Sequence, residues 1–599
     1  VIKVIWGREW DDLIAKDDEY LLVKRMGEIV DGQFQRYSVE SGDFIRHDFF
    51  GKDPRLLQMV SHLSDEDLEK LRRGGHDMHK LHAAYHLATN SNSGAPTVIL
   101  AHTVKGWTLG KGVEAKNVTH QTKKLDEEEL RLFRNRLQLD IPDRELANPP
   151  FYHPGMDSEE VQYMLERRRA LGGFVPARRS RSYSLPTPDA DLFQEFLVGS
   201  KSEVSTTMAF ARLLSKLVRD EVIGPRIVPI IPDEARSFGL DPLFRQIGIY
   251  SAVGQLYQPV DHALILNYRE SSSGQLLEEG INEAGSAASF TVAGTSHSTH
   301  DEPMIPFYMF YSMFGFQRTA DQFWAMGDMK GRGFLMGGTA GRTTLLGEGL
   351  QHDDGHSHLL ASTVPCVVAY DPAFAYELAT IVRNGLRRMY EQQEDIFHYI
   401  TIQNETYLMP AMPEGVEDGI LRGLYPFRRA PDARAHSATL IGSGSILREV
   451  LRAQEILARD YDVAADVFSA TSYMLLRREA LECERWNMLH PEQPSRVPFV
   501  SSVLQHVHGP VIAASDWMKA IPDQIARWVP VPFHTLGTDG FGMSDTREAL
   551  RRHFEIDAES IVAATLWELA RAGRVDRAAV ARAVRDLGLD PDKLDPATV

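Results

Sequence analysis
Arg226-Ile227-Val228-Pro229-Ile230-Ile231-Pro232-Asp233-Glu234 decides the fold. A short run of β-branched residues closed by a proline and two acids has the pattern of a buried strand. A helical stretch, 205–219, precedes it. Further strands fit 262–267, 305–311 and 364–370; the last leads into a helix over 374–390 and another strand over 397–402. Strands alternating with helices of about 12–15 residues predict a parallel sheet with right-handed crossovers.

Two more α/β blocks flank this one. Upstream, a helix over 64–73 with Ser64 as its cap precedes the strand Thr97-Val98-Ile99-Leu100-Ala101-His102. A glycine-bearing loop, 106–120, and a charged helix from about 126 to 136 follow. A connector, about 142–191, holds Pro149-Pro150, Gly172-Gly173 and Arg178-Arg179-Ser180-Arg181, and reads as an exposed linker. Downstream, Ala438-Thr439-Leu440-Ile441 runs into the small-residue turn Gly442-Ser443-Gly444-Ser445, a helix over 446–459, and strands at 466–469 and 511–514. The turn lacks the third glycine and the distant acid of a dinucleotide fingerprint, so it reads as a packing turn. There is no short repeat of the solenoid kind. The expected organisation is 1–141, a linker at 142–191, then 192–415 and 416–599: three successive parallel-sheet α/β domains, the first incomplete.

Composition narrows the function classes. Over 599 residues, 43% are hydrophobic and 25% charged, which suits several globular cores. The net charge of -18 argues against general nucleic-acid binding, which needs a basic face. Only Cys366 and Cys483 occur, with no metal-ligand spacing, which points to a reducing cytoplasm rather than a disulfide scaffold. The most apolar stretch, 304–316, is too short to span a bilayer. The chain opens on Val1-Ile2-Lys3-Val4-Ile5-Trp6, which reads as a buried strand, an unusual beginning for a native chain, so a truncation is expected.

Several segments carry a family resemblance. Val98 through Gly106, Val228 through Arg236, Phe307 through Arg318, the run Gly347-Glu348-Gly349-Leu350-Gln351-His352-Asp353-Asp354-Gly355-His356-Ser357-His358, Cys483 through Asn487 and Leu536 through Gly542 resemble the homodimeric bacterial pyruvate dehydrogenases. These are transketolase-like thiamine enzymes, and the likeness extends over essentially the whole chain. It implies a fold of the transketolase-like thiamine-diphosphate-binding type. The implied reaction is oxidative decarboxylation of pyruvate with acetyl transfer to a lipoylated dihydrolipoyl acetyltransferase. It further implies thiamine diphosphate, magnesium and a homodimer with its cofactor between domains of different subunits. The family's Gly-Asp-Gly motif for diphosphate and metal is absent here. Its metal ligands are expected upstream of residue 1, and this chain alone is expected to be inactive. A transketolase-type ketol transfer and a non-catalytic fragment are the rival readings.

The chemistry demands an electron sink that no side chain supplies, hence a cofactor. Activating thiamine diphosphate requires its aminopyrimidine to become an imino base, which a buried carboxyl sharing a proton with the ring promotes. By resemblance Glu283, among the small residues of Gly280-Ile281-Asn282-Glu283-Ala284-Gly285, is that acid; on its own the pattern also fits a glutamate serving a helix dipole. Phe314 would stack on the pyrimidine, with Tyr311 nearby, while the rest of that aromatic stripe reads as core. His352 has three readings: an active-site group orienting pyruvate, a solvated loop histidine, or part of a metal site with His356 and His358. Lys105 is placed at a strand's carboxyl end, where it would reach the diphosphate or the pyruvate adduct. His120 lies in a loop whose composition suits a mobile lid, and by resemblance donates a proton to the lipoyl disulfide. Asp233 and Glu234 read either as an acidic pair beside the cofactor at the dimer interface or as a helix cap.

Overall fold
The structure is a computed structural model and describes residues 1–91, 94–110, 112–175, 183–232, 235, 238–260 and 268–599. It divides into two compact units, Val1–Gly173 and Phe174–Val599.

In the first unit, β1 (Ile2–Val4) pairs in parallel with a strand at Ile99–Ala101. A helix, α1 (Asp65–Glu69), carries a capping box: Ser64 accepts from the Asp67 amide and Asp67 reaches back. It stops short of the predicted 73. The next backbone is recruited elsewhere, with Gly7 N–H donating to the Arg72 carbonyl at 3.0 Å and Trp6 bridging Arg73. Helix α2 (Met78–Asn90) leads to the Ile99–Ala101 strand, β2. Of β1 only Val4 is buried, so the opening strand is half-open rather than buried throughout: a two-stranded sheet covers little of its own surface. Trp10, Leu22, Phe49, Phe50 and Leu68 form this unit's core. Strand β2 ends at Ala101 because its partner ends at Val4, so Lys105 lies in a turn beyond the strand instead of at its last residue. Helix α3 (Glu127–Arg136) is capped by Asp126, and α4 (Glu159–Ala170), capped by Ser158, lies within the stretch read as connector.

The second unit holds two large sheets. Helix α5 (Thr206–Leu217), capped by Ser205, precedes β3 (Ile227–Ile231). There follow β4 (Leu277–Glu278), α6 (Glu283–Thr299), β5 (Ile305–Tyr311), α7 (Gly315–Asp328) and β6 (Phe334–Gly338). Then come β7 (Val367–Tyr370), α8 (Ala375–Leu386) and β8 (Phe397–Thr401). All six strands run parallel in the order β7-β8-β6-β5-β3-β4. The expected strand at 262–267 lies outside the described residues. In β5, Phe307, Tyr308 and Phe310 are buried, and Phe307 stacks on Phe334 at 4.5 Å, so most of the aromatic stripe is core. A side chain at Gly315 would strike the Phe310 ring; the missing Cβ lets α7 start directly under β5.

The second sheet contains β9 (Leu424–Arg428), β10 (His436–Gly442), α9 (Leu447–Asp460), β11 (Val463–Ala470), α10 (Tyr473–Leu489), β12 (Val511–Ala514) and β13 (Phe533–Leu536). Its order is β9-β11-β10-β12-β13, parallel except for the antiparallel edge strand β9. Gly444 has φ +49°, and a side chain there would run into Gln403 and Asp371, as a packing turn requires. Among the described residues, no helix is long and apolar enough to cross a membrane, and Cys366 and Cys483 are free.

The two sheets are welded by buried polar groups. Asp516, just past β12, accepts from the amide and hydroxyl of Thr343, both at 2.8 Å, and from the Thr344 amide at 3.0 Å. Arg342 donates to the Gly540 carbonyl at 2.6 Å, and Trp517 to Asp371 at 2.8 Å. Replacing Asp516 by alanine strands several buried donors at once. The expected loss of unfolding free energy is about 3–5 kcal/mol, read by urea denaturation with the fluorescence of adjacent Trp517; an unchanged midpoint would contradict the weld.

Candidate active site
Three successive carboxyl ends of the six-stranded sheet carry the candidate residues. Glu283 follows β4 and opens α6; Tyr311 ends β5, and Phe314 stands immediately before α7; His352 lies in the long loop between β6 and β7. The carboxyl edge of a parallel sheet is where such folds place ligands.

Asn282 caps α6 by accepting from the Gly285 amide at 3.0 Å, and the Tyr308 hydroxyl donates to the Glu283 carbonyl at 3.1 Å. These bonds fix the Glu283 backbone. Its side chain is nearly buried, with the residue 9% exposed, so its charge needs a partner. Arg318 supplies one: Nη1 lies 2.7 Å from Oε1. The same guanidinium sits over the Phe314 ring, 3.9 Å from its centroid. Phe314 lies 5.0 Å and Tyr311 5.1 Å from the His352 ring, and Tyr311 is 6.0 Å from Phe314. The structure therefore brings Glu283, Tyr311, Phe314 and His352 together, with Arg318 as the link. Burial, reinforced by the Glu283 and Glu279 charges, pushes the Tyr308 hydroxyl far above its ordinary range, leaving it a donor.

The histidine-rich loop separates into distinct environments. His352 is half-buried beside the aromatics, and its Nδ1 lies 3.3 Å from the Gly349 carbonyl. His356 bonds to Gln317. His358 is buried against Trp517 and Tyr399, with Nε2 3.0 Å from the Thr401 hydroxyl, and burial pushes its pKa down to about 4. Among the described residues no group of three or more His, Cys, Asp or Glu is arranged to hold a metal ion, so the metal reading of this motif finds no support. Asp353 is buried, with Oδ2 unpartnered, and desolvation lifts its pKa to about 7 against the pull of Arg342.

In the first unit, Lys105 Nζ lies 2.7 Å from His120 Nδ1, fifteen residues along the chain. An ammonium can only donate, so in this contact Nδ1 is the acceptor. Gly106 turns the loop at φ +71°, where a side chain would meet Thr119. Asp233 and Glu234 lie outside the described residues. Sequence reading missed Arg318, although the quoted 307–318 motif contains it four residues after Phe314, the spacing of helical neighbours.

The parallel sheets and this edge-mounted site define a transketolase-like α/β protein. Among solved structures, transketolase from Campylobacter jejuni subsp. jejuni NCTC 11168 superimposes with a TM-score of 0.53 at 15% identity, over 81% of this chain and 65% of that one. Transketolase from Leishmania mexicana gives 0.51 at 14%, over 87% and 68%. Residues 183–410 match the family model of the pyruvate dehydrogenase E1 component middle domain, and 423–557 that of the transketolase-like TK C-terminal domain. The chain is 54% identical to the pyruvate dehydrogenase E1 component of Pseudomonas aeruginosa over 100% of its own length and 68% of the relative's. The corresponding proteins of Mycolicibacterium smegmatis and Escherichia coli K12 are 54% and 47% identical; the chain spans 64% and 67% of their lengths. The chain belongs to the pyruvate dehydrogenase E1 component family.

Asp353 predicts a pH signature. An acid whose folded pKa is raised contributes stability at low pH that is lost as pH climbs from its ordinary 3.8 through about 7. Asp353→Asn should remove that loss, so urea denaturation at pH 5 and 8 should show a smaller decline for the variant; an equal or steeper decline would refute the assignment.

Proposed function
We propose that this chain serves the oxidative decarboxylation of pyruvate and the reductive acetylation of a lipoyl group on a dihydrolipoyl acetyltransferase partner. The single observation that carries the reading is the Glu283 carboxyl, nearly buried beside the Phe314 ring at the sheet's carboxyl edge. Family membership supports pyruvate over a sugar substrate, and so ranks this reading above transketolase-type chemistry and above a non-catalytic fragment.

The residues fit thiamine diphosphate at its pyrimidine end: an aromatic face and a carboxyl able to exchange a proton with a ring nitrogen. When bound, the cofactor supplies the electron sink for the carbon–carbon cleavage. Glu283 would hold or release the proton at that ring nitrogen, and Phe314 would orient the ring with Tyr311 beside it. His352 would orient pyruvate through its carboxylate or carbonyl. Lys105 would offer its ammonium to the diphosphate or the substrate-derived carboxylate. Asp233 and Glu234 are proposed for proton movement beside the cofactor. His120, beside Lys105, would act in its protonated form, giving a proton to the lipoyl disulfide and returning to the neutral ring. For magnesium the described residues supply no ligand set. A homodimer and a cytoplasmic setting complete the proposal.

Two experiments test it, on a polypeptide carrying this chain at its relatives' full length. Pyruvate-dependent dye reduction should proceed while xylulose 5-phosphate gives none, and Glu283→Gln should cut the rate by about 100-fold or more; an undiminished rate would sink the reading. His120→Ala should spare dye reduction yet lower lipoyl acetylation by about 100-fold. Equal loss in both assays would remove His120 from the second half-reaction.

A further inference from the structure
We propose that Arg318 is a positioning residue for Glu283, a role that rests on the functional reading above. The backbone of Glu283 is fixed by Asn282 and by the Tyr308 hydroxyl, but those bonds leave its carboxyl free to rotate. Among the described residues, the cation paired with that carboxyl is Arg318, at 2.7 Å. Its guanidinium is in turn clamped on the Phe314 ring at 3.9 Å. The clamp is built into the helix, because Phe314 and Arg318 are four residues apart across the first turn of α7. One side chain therefore sets both groups proposed to meet the pyrimidine. It holds Oε1 and covers one face of the Phe314 ring, which His352 and Tyr311 also approach.

The charges around the carboxyl show what Arg318 does. Glu279 and Glu283 both act on Tyr308, so a second acid stands nearby. Tyr308 faces the main chain of Glu283 and is held neutral. Arg318 is thus the counterweight: without it, the carboxyl loses the cation that aims it. A planar guanidinium can stack and donate at once, whereas a lysine ammonium keeps the charge without the planar stack.

The test compares wild type, Arg318→Lys, Arg318→Met and Glu283→Gln at full length. Thiamine diphosphate binding is measured by calorimetry, and kcat and KM for pyruvate by dye reduction. Arg318→Met should weaken cofactor binding and lower kcat by about tenfold each, with KM for pyruvate nearly unchanged. Arg318→Lys should recover part of both losses. Wild-type affinity and rate in Arg318→Met would overturn the inference alone, provided Glu283→Gln is impaired. Failure of wild type to bind the cofactor, or an unimpaired Glu283→Gln, would overturn the functional reading and this inference with it.

Discussion
A carboxylate withdrawn from water beside an aromatic ring cannot keep its charge without a compensating partner. At Glu283 that constraint organises the site. The acid opens one helix, its counter-ion sits on the next, and the ring between them is the residue that starts the second helix. The ionic contact joins the starts of α6 and α7, while buried packing such as Phe290 against Phe323 holds one helix on the other. The small residues of α6 allow this approach. Ala287 and Phe290 are fully buried, and Gly294 sits where a Cβ would strike Met326 of α7.

The parallel sheet turns that local constraint into a site. Every crossover returns the chain to the same end, so residues distant in sequence collect along one edge. Glu283, Tyr311, Phe314 and His352 span seventy positions yet lie at the exits of β4, β5 and β6 along one edge of the sheet. The His352 loop is held from below by Arg342 and Asp516, which tie its start to the second sheet. That sheet brings none of the residues named in the proposal, but its burial of Trp517 and Asp516 gives the loop a rigid base.

Much of the fold was legible where apolar runs were long and unbroken. The bounds read for 305–311 and 511–514 match β5 and β12. Helix α6 entered only through the helix-dipole alternative for Glu283, because its Ala, Gly, Ser and Thr residues make no apolar stripe to mark its length. Strand β6 escaped because two of its five residues are glycine. Of the aromatic run, Phe307, Tyr308 and Phe310 are buried on β5, while Tyr311 at its end is half-buried. What local pattern does not encode is partnership. Arg318 reads as one more exposed cation, and nothing in the spacing of Lys105 and His120 announces that a glycine turn folds one onto the other. The three histidines of the 352–358 motif look equivalent in sequence, and only burial separates the buried, neutral His358 from the half-buried His352.

Gly315 carries no functional group, yet it stands between the ring proposed to meet the cofactor and the helix that bears the cation. With the Phe310 ring occupying the space of its absent side chain, even a methyl group would lever the start of α7 outward. Such a displacement would drag the aromatic platform away from its acid while leaving both residues chemically intact. A tight steric limit in this cluster therefore falls on an inert position, and a variant lost there would resemble a failed enzyme without missing any of its reactive atoms.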